Sequence, residues 1–218
     1  MEHFIFDLEY AAMGLNTLLY TFFTKKSANS PSLRRFRWYM WCIVVVQIIA
    51  TYYAKHNWIN LHLTHYYFNL QFITVSLLYR HLFRKKIVKQ VITYLIYLIP
   101  AFLTIRYLTD KDIYKNIYNV EVFLCSVPLI AYAVMYLYRS IEIMNKKWIY
   151  FSAGIMLYLL SSSIVFSGYD ILMKEYFFKG KEYYSFWFLN SIVYLLYQLL
   201  VILEWIENFR GVNWHFRK

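Results

Sequence analysis

The sequence predicts an all-α fold, a polytopic transmembrane helical bundle with seven spans, and three observations carry that expectation. Seven stretches are long and apolar enough to approach the roughly 20 residues a spanning helix needs. Only 16% of the chain is charged, too little to cover a soluble domain of 218 residues, while 61% is apolar against about 45 to 50% in soluble proteins. Lys and Arg gather in alternate connections, the pattern expected of a multi-pass protein.

The expected spans are 5–24, 38–54, 65–83, 88–108, 119–138, 148–172 and 184–206, forming one domain over 1–218. The first follows acids, has no basic leader and is followed by no small-residue cleavage site, so it reads as a retained helix. The second is short but intensely apolar over 43–50. The third opens on His-Tyr-Tyr-Phe-Asn and is the most polar; almost nothing separates it from the fourth, so a helical hairpin with a tight basic turn is expected. Pro100 and Pro128 fall within the fourth and fifth, where a kink is the expectation. The sixth carries Ser152, Ala153, Gly154, Ser161, Ser162, Ser163, Ser167 and Gly168, small residues that let neighbours approach and should make it the most enclosed helix. The seventh ends the bundle with no lysine in its apolar part, which excludes a retinal Schiff base. The connections are short, leaving no room for a soluble domain.

Segments 25–37, 80–89, 139–147 and 210–218 hold 16 of the 23 Lys and Arg, whereas nine of the 12 acids lie toward the opposite side. By the basic-residue rule the richer side is cytoplasmic, which puts the N-terminus outside and the C-terminus inside. The formal charge of +11 then reflects topology and contact with membrane lipid; no nucleic-acid partner is expected, because a basic binding face would not be interrupted by apolar runs. The 49 aromatic residues exceed what interface belts use, so many must pack between helices. Cys42 and Cys125 both lie in apolar runs and read as small buried hydrophobes.

Polar groups at membrane depth are costly, about 2.5 to 3.5 kcal/mol for a charge at a span centre, and are therefore the functional candidates. Glu9 and Asn16 are seven apart and share a stripe, while Asp7 points elsewhere. His62, His65 and Asn69 fall on one stripe of the third helix. The sharp hypothesis is that Glu9, His62, His65, Asn69, Glu121, Asp170 and Asn190 line one outward cavity, anionic and suited to a cation, an amine or a proton. Against it stands a plainer reading, favoured for Glu121, Asp170 and His62, in which these residues mark helix ends at headgroup level. The seventh helix adds a polar seam of Tyr194, Tyr197, Gln198 and Glu204, which Gln47 of the second helix would join. His62 and His65 have the spacing to share a metal ion, yet two interfacial histidines are more often anchors. No cofactor motif occurs. An enzyme is not expected, since only His81 and His215 lie on the basic side and neither has an acid nearby in sequence.

Segments 60–72 (NLHLTHYYFNLQF), 148–158 (WIYFSAGIMLY) and 186–194 (FWFLNSIVY) resemble an uncharacterised group of small seven-helix bacterial membrane proteins sometimes met beside sensor kinases. The resemblance implies a seven-helix fold in a bacterial inner membrane and points toward sensing. Where that group tends to carry Glu, this chain has Gln71. The functional expectation is a receptor-like or accessory module that senses a small ligand or cation and relays to a cytoplasmic or membrane protein partner through the basic turn and tail. The alternatives are a small transporter or channel, which needs a polar path from face to face, and a structural subunit of a membrane complex.

Overall fold

The computed structural model describes residues 2–25, 30–56, 58, 60–110, 118–142, 144, 146–175 and 181–210, with side chains described for all of these except 2–4, 6, 168–175 and 181–187. Seven helices are described: α1 (Glu2–Phe22), α2 (Pro31–Lys55), α3 (Leu61–Leu82), α4 (Lys86–Thr109), α5 (Asn119–Glu142), α6 (Ile149–Glu175) and α7 (Lys181–Asn208). Four segments, Lys86–Thr109, Asn119–Glu142, Ile149–Ser167 and Phe188–Asn208, are long and apolar enough to cross a membrane.

Helix α2 begins about two turns before its apolar run because Ser30 caps it, accepting the Leu33 N–H at 3.3 Å, and Pro31 occupies the first turn, where its missing N–H is harmless. Arg34, Arg35 and Arg37 thus ride on helical backbone, and Arg37 Nε donates to the Tyr20 carbonyl at 2.7 Å near the end of α1. The α3–α4 turn is tight, as expected, with residues 83–85 joining the two helices.

Six helices close a ring in the order α1, α2, α3, α5, α6, α7, and α7 returns to α1; α4 packs outside, against α3 and α5. One end of the ring, here the basic end, gathers the end of α1, the start of α2, the α3–α4 turn, the α5–α6 connection and the end of α7, where Lys25 N–H bonds the Phe209 carbonyl at 3.1 Å. Two neighbouring pairs, α1–α7 and α3–α5, consequently run parallel, whereas chain-adjacent helices run antiparallel.

The middle of the ring is filled by aromatic side chains. Phe36, Tyr39, Tyr79, Phe151 and Tyr197 are fully buried, and Phe151 lies within 5.1–6.3 Å of Phe36, Tyr39, Tyr79 and Tyr197 by ring centroid. Offset and edge contacts of this kind add about 0.5–1.5 kcal/mol each beyond their burial, which answers where the excess aromatics go. Of the four apolar segments that of α6 is the most buried, at 56%. A Cβ on its Gly154 would stand 3.0 Å from Tyr197 and 3.2 Å from Leu200, so the glycine is what allows α7 so close. By contrast α4 shows Tyr97 73% and Leu108 77% exposed, an apolar face that hydrocarbon rather than water would cover.

Candidate functional site

At the end opposite the basic one, a cavity of about 340 Å³ lies between α1, α2, α3, α6 and α7. Its polar lining includes Glu9, Gln47, Asn60, Thr64, Asn190 and Ser191, and its aromatic walls are Tyr10, Tyr67, Phe68, Tyr158, Phe166 and Tyr194. Gln47 Nε2 donates to the Tyr10 hydroxyl at 3.0 Å and Ser162 Oγ to Asn190 Oδ1 at 2.5 Å, which fixes the two amides. Glu9 is the one acidic side chain of this lining; the Ser191 hydroxyl stands beside it, and its Oε2 is buried without a hydrogen bond among the described residues. An acceptor in that condition is costly unless a donor or a cation arrives.

The cavity narrows onto tyrosines. Tyr67 and Tyr158 hydroxyls are 3.4 Å apart, Tyr158 stacks on Tyr197 at 5.7 Å, and the Tyr197 and Tyr39 hydroxyls share a hydrogen bond of 2.9 Å. Beyond them the buried Phe36, Tyr79 and Phe151 occupy the space toward the basic end.

Of the seven residues expected in one outward cavity, Glu9 and Asn190 line it and His62, His65, Asn69 and Glu121 do not. The side chain of Asp170 lies outside the described residues. On α3 the cavity is lined by Leu61, Leu63, Thr64, Tyr67 and Phe68; His65 and Asn69 stand one residue, about 100°, beyond Thr64 and Phe68 and face α5. There the buried His65 Nδ1 meets Glu121 Oε2. Glu121 Oε1 accepts from the Tyr107 hydroxyl at 2.5 Å and from Asn69 Nδ2 at 3.1 Å. This group joins α3, α4 and α5 along a parallel seam, and Glu121 is 1% exposed rather than solvated at a helix end. Tyr107 had no signal in the sequence, being one tyrosine among 24. His62 instead sets its ring 5.4 Å from Tyr53 on α2. Among the described residues no three His, Cys, Asp or Glu side chains gather as a metal ion would require.

The seam expected on α7 is buried, yet its members serve different neighbours. Tyr194 walls the cavity and Tyr197 bonds Tyr39. Gln198 takes Asn16 Nδ2 on both its backbone carbonyl, at 2.9 Å, and its Oε1, at 2.7 Å, closing the α1–α7 seam; Asp7, off that stripe, is exposed. Glu204, near the basic end, accepts the Trp148 N–H at 2.5 Å, the Tyr150 N–H at 3.0 Å, a weaker contact from Phe151 at 3.5 Å, and Asn208 Nδ2 at 2.8 Å. It therefore caps α6 from another helix, satisfying donors that the first turn leaves open.

No protein-family model, curated protein or solved structure matches this chain.

Proposed function

We propose that the protein is a membrane receptor-like module whose cavity binds a small organic cation, an amine or quaternary ammonium group. The observation that carries this reading is the pairing of Glu9, with a buried oxygen lacking a partner among the described residues, and walls of six aromatic rings. A carboxylate supplies countercharge, and ring faces attract a desolvated cation by about 0.5 to 2 kcal/mol each. The volume suits a ligand of modest size. Because packed aromatics lie between the cavity and the basic end, binding at one end reaches the other through helix packing, which supports sensing over transport.

In this proposal all seven helices cross a bacterial inner membrane with the basic end in the cytosol, as the resemblance of 60–72, 148–158 and 186–194 also suggests. Helices α1, α2 and α3 hold 21, 25 and 22 residues, about 32 to 38 Å at 1.5 Å per residue, enough to span hydrocarbon. A cytosolic reporter fused after Lys218 should be active, and a periplasmic one silent; the reverse would overturn the orientation.

The ligand test uses purified protein in detergent. Choline or tetramethylammonium should raise the melting temperature saturably, a neutral tert-butyl analogue should not, and Glu9→Gln should abolish the difference. Equal response of the wild type to cation and neutral analogue, or an unchanged response in Glu9→Gln, would refute it.

A further inference from the structure

We infer that the basic end of the ring holds a second site, one for a phosphate-class oxyanion. A cavity of about 210 Å³ lies there where the ends of α2, α3, α5, α6 and α7 meet. Arg84 from the α3–α4 turn, Arg139 from the last turn of α5 and Lys147 from the α5–α6 connection all line it, brought from separate segments to one mouth. Ser32 and Ser140 add hydroxyls, and Ser32 sits in the first turn of α2, where backbone N–H groups carry partial positive charge.

Among the described residues the two guanidinium groups of this cavity are not compensated. Among the described residues no acid lines the cavity, and neither Arg84 nor Arg139 has an ion pair or hydrogen bond. Glu142 and Glu207, acids of the same end, are exposed and outside the lining. Glu204 is engaged on the far side of Trp148 with the α6 N–H groups. Guanidinium forks match a tetrahedral oxyanion in bidentate geometry, and two of them beside an ammonium favour a dianion over chloride. The floor is closed by Trp148 and Phe209, 2% exposed each, so an occupant enters from the water at the basic end rather than through the ring.

The same phosphate chemistry is offered by a soluble phosphate or by the headgroup of an anionic lipid, and the experiment separates these sources. Wild type, Arg84→Gln/Arg139→Gln, and a control Arg80→Gln/Lys85→Gln in neighbouring basic residues outside the cavity would be purified in lipid-free detergent. Inorganic phosphate would be titrated calorimetrically at ionic strength held constant with chloride; native mass spectrometry would compare phosphatidic acid with phosphatidylcholine. Saturable phosphate binding, weakened about tenfold or more in the cavity variant and under twofold in the control, supports a site for soluble phosphate. Binding of phosphatidic acid alone with the same dependence supports the lipid headgroup. Binding of neither, or equal loss in both double variants, overturns the site. If the cavity variant melts early, Arg84→Lys, which keeps the charge and removes the fork, should still weaken binding severalfold; an unchanged affinity would count against the proposal. None of these results depends on Glu9.

Discussion

Replacing Glu204 by Ala removes the acceptor for the first turn of α6, and its effect follows from the geometry. Two short backbone bonds, from Trp148 at 2.5 Å and Tyr150 at 3.0 Å, are lost, and Glu204 is 0% exposed, so water does not simply take its place. Bonds of this type to a carboxylate contribute about 1.5 kcal/mol each, and a charge at a helix start about 0.5–1 kcal/mol more. Some of this returns: Trp148 is held at φ 65, a left-handed conformation that strains a non-glycine residue by about 1 kcal/mol and relaxes once the tether is gone. The net loss is about 3 kcal/mol, which at roughly 2–4 °C per kcal/mol for a chain of this size lowers the melting temperature by about 6–12 °C. Glu204→Gln keeps one acceptor oxygen and should lose about half as much, while Glu207→Ala, at an exposed position three residues on, should stay within about 0.5 kcal/mol. Thermal unfolding in detergent measures all three, and hydrogen exchange over 148–152 should accelerate in Glu204→Ala. A Glu204→Ala protein that melts with Glu207→Ala, its exchange unchanged, would refute the capping role.

His65→Ala should destabilise by about 3 kcal/mol by leaving Glu121 Oε2 buried without its partner, whereas His62→Ala, whose ring lies beside Tyr53, should cost under about 1 kcal/mol in the same assay. In a double-mutant cycle of Asn16→Leu and Gln198→Leu the coupling should be about 0.6–1.7 kcal/mol, and additive effects would show that the α1–α7 pair holds nothing together. Gly154→Ala should cost about 1–3 kcal/mol, since its Cβ meets Tyr197 and Leu200, while Gly14→Ala, with nothing within 4 Å, should be neutral or stabilise slightly. Equal melting temperatures for the two glycine variants would count against the close α6–α7 approach.

Helix positions were legible because each helix carries a long apolar run bounded by polar connections. Where a helix outruns its apolar stretch they fall short: the apolar run of α2 opens at Trp38, but Ser30 and Pro31 set the start of the helix itself. The candidate site was legible residue by residue and not as an assembly. Spacing puts His65 and Asn69 on one stripe, yet nothing in it says that this stripe meets Glu121 across α5 while Thr64, one residue back, meets the cavity with Glu9. That depends on the order of helices around the ring, which single-helix periodicity does not encode. Glu204 was visible as a polar group on α7; its partners are backbone N–H groups, present in every helix start and silent in the sequence.

The displacement of α4 from the ring bears on how the molecule is made. A ribosome delivers helices in sequence, and each new one pairs readily with its predecessor as a hairpin. The two same-direction seams have no such help: α3 pairs with α5 past the intervening α4, and α1 with a mate some 180 residues later in the chain, as the Asn16–Gln198 separation of 182 shows. Until that last segment is inserted, the nascent bundle is an open trough with Asn16 facing no amide. Closure of the ring thus waits for α7, and a bundle lacking that helix would present an exposed polar groove at Asn16.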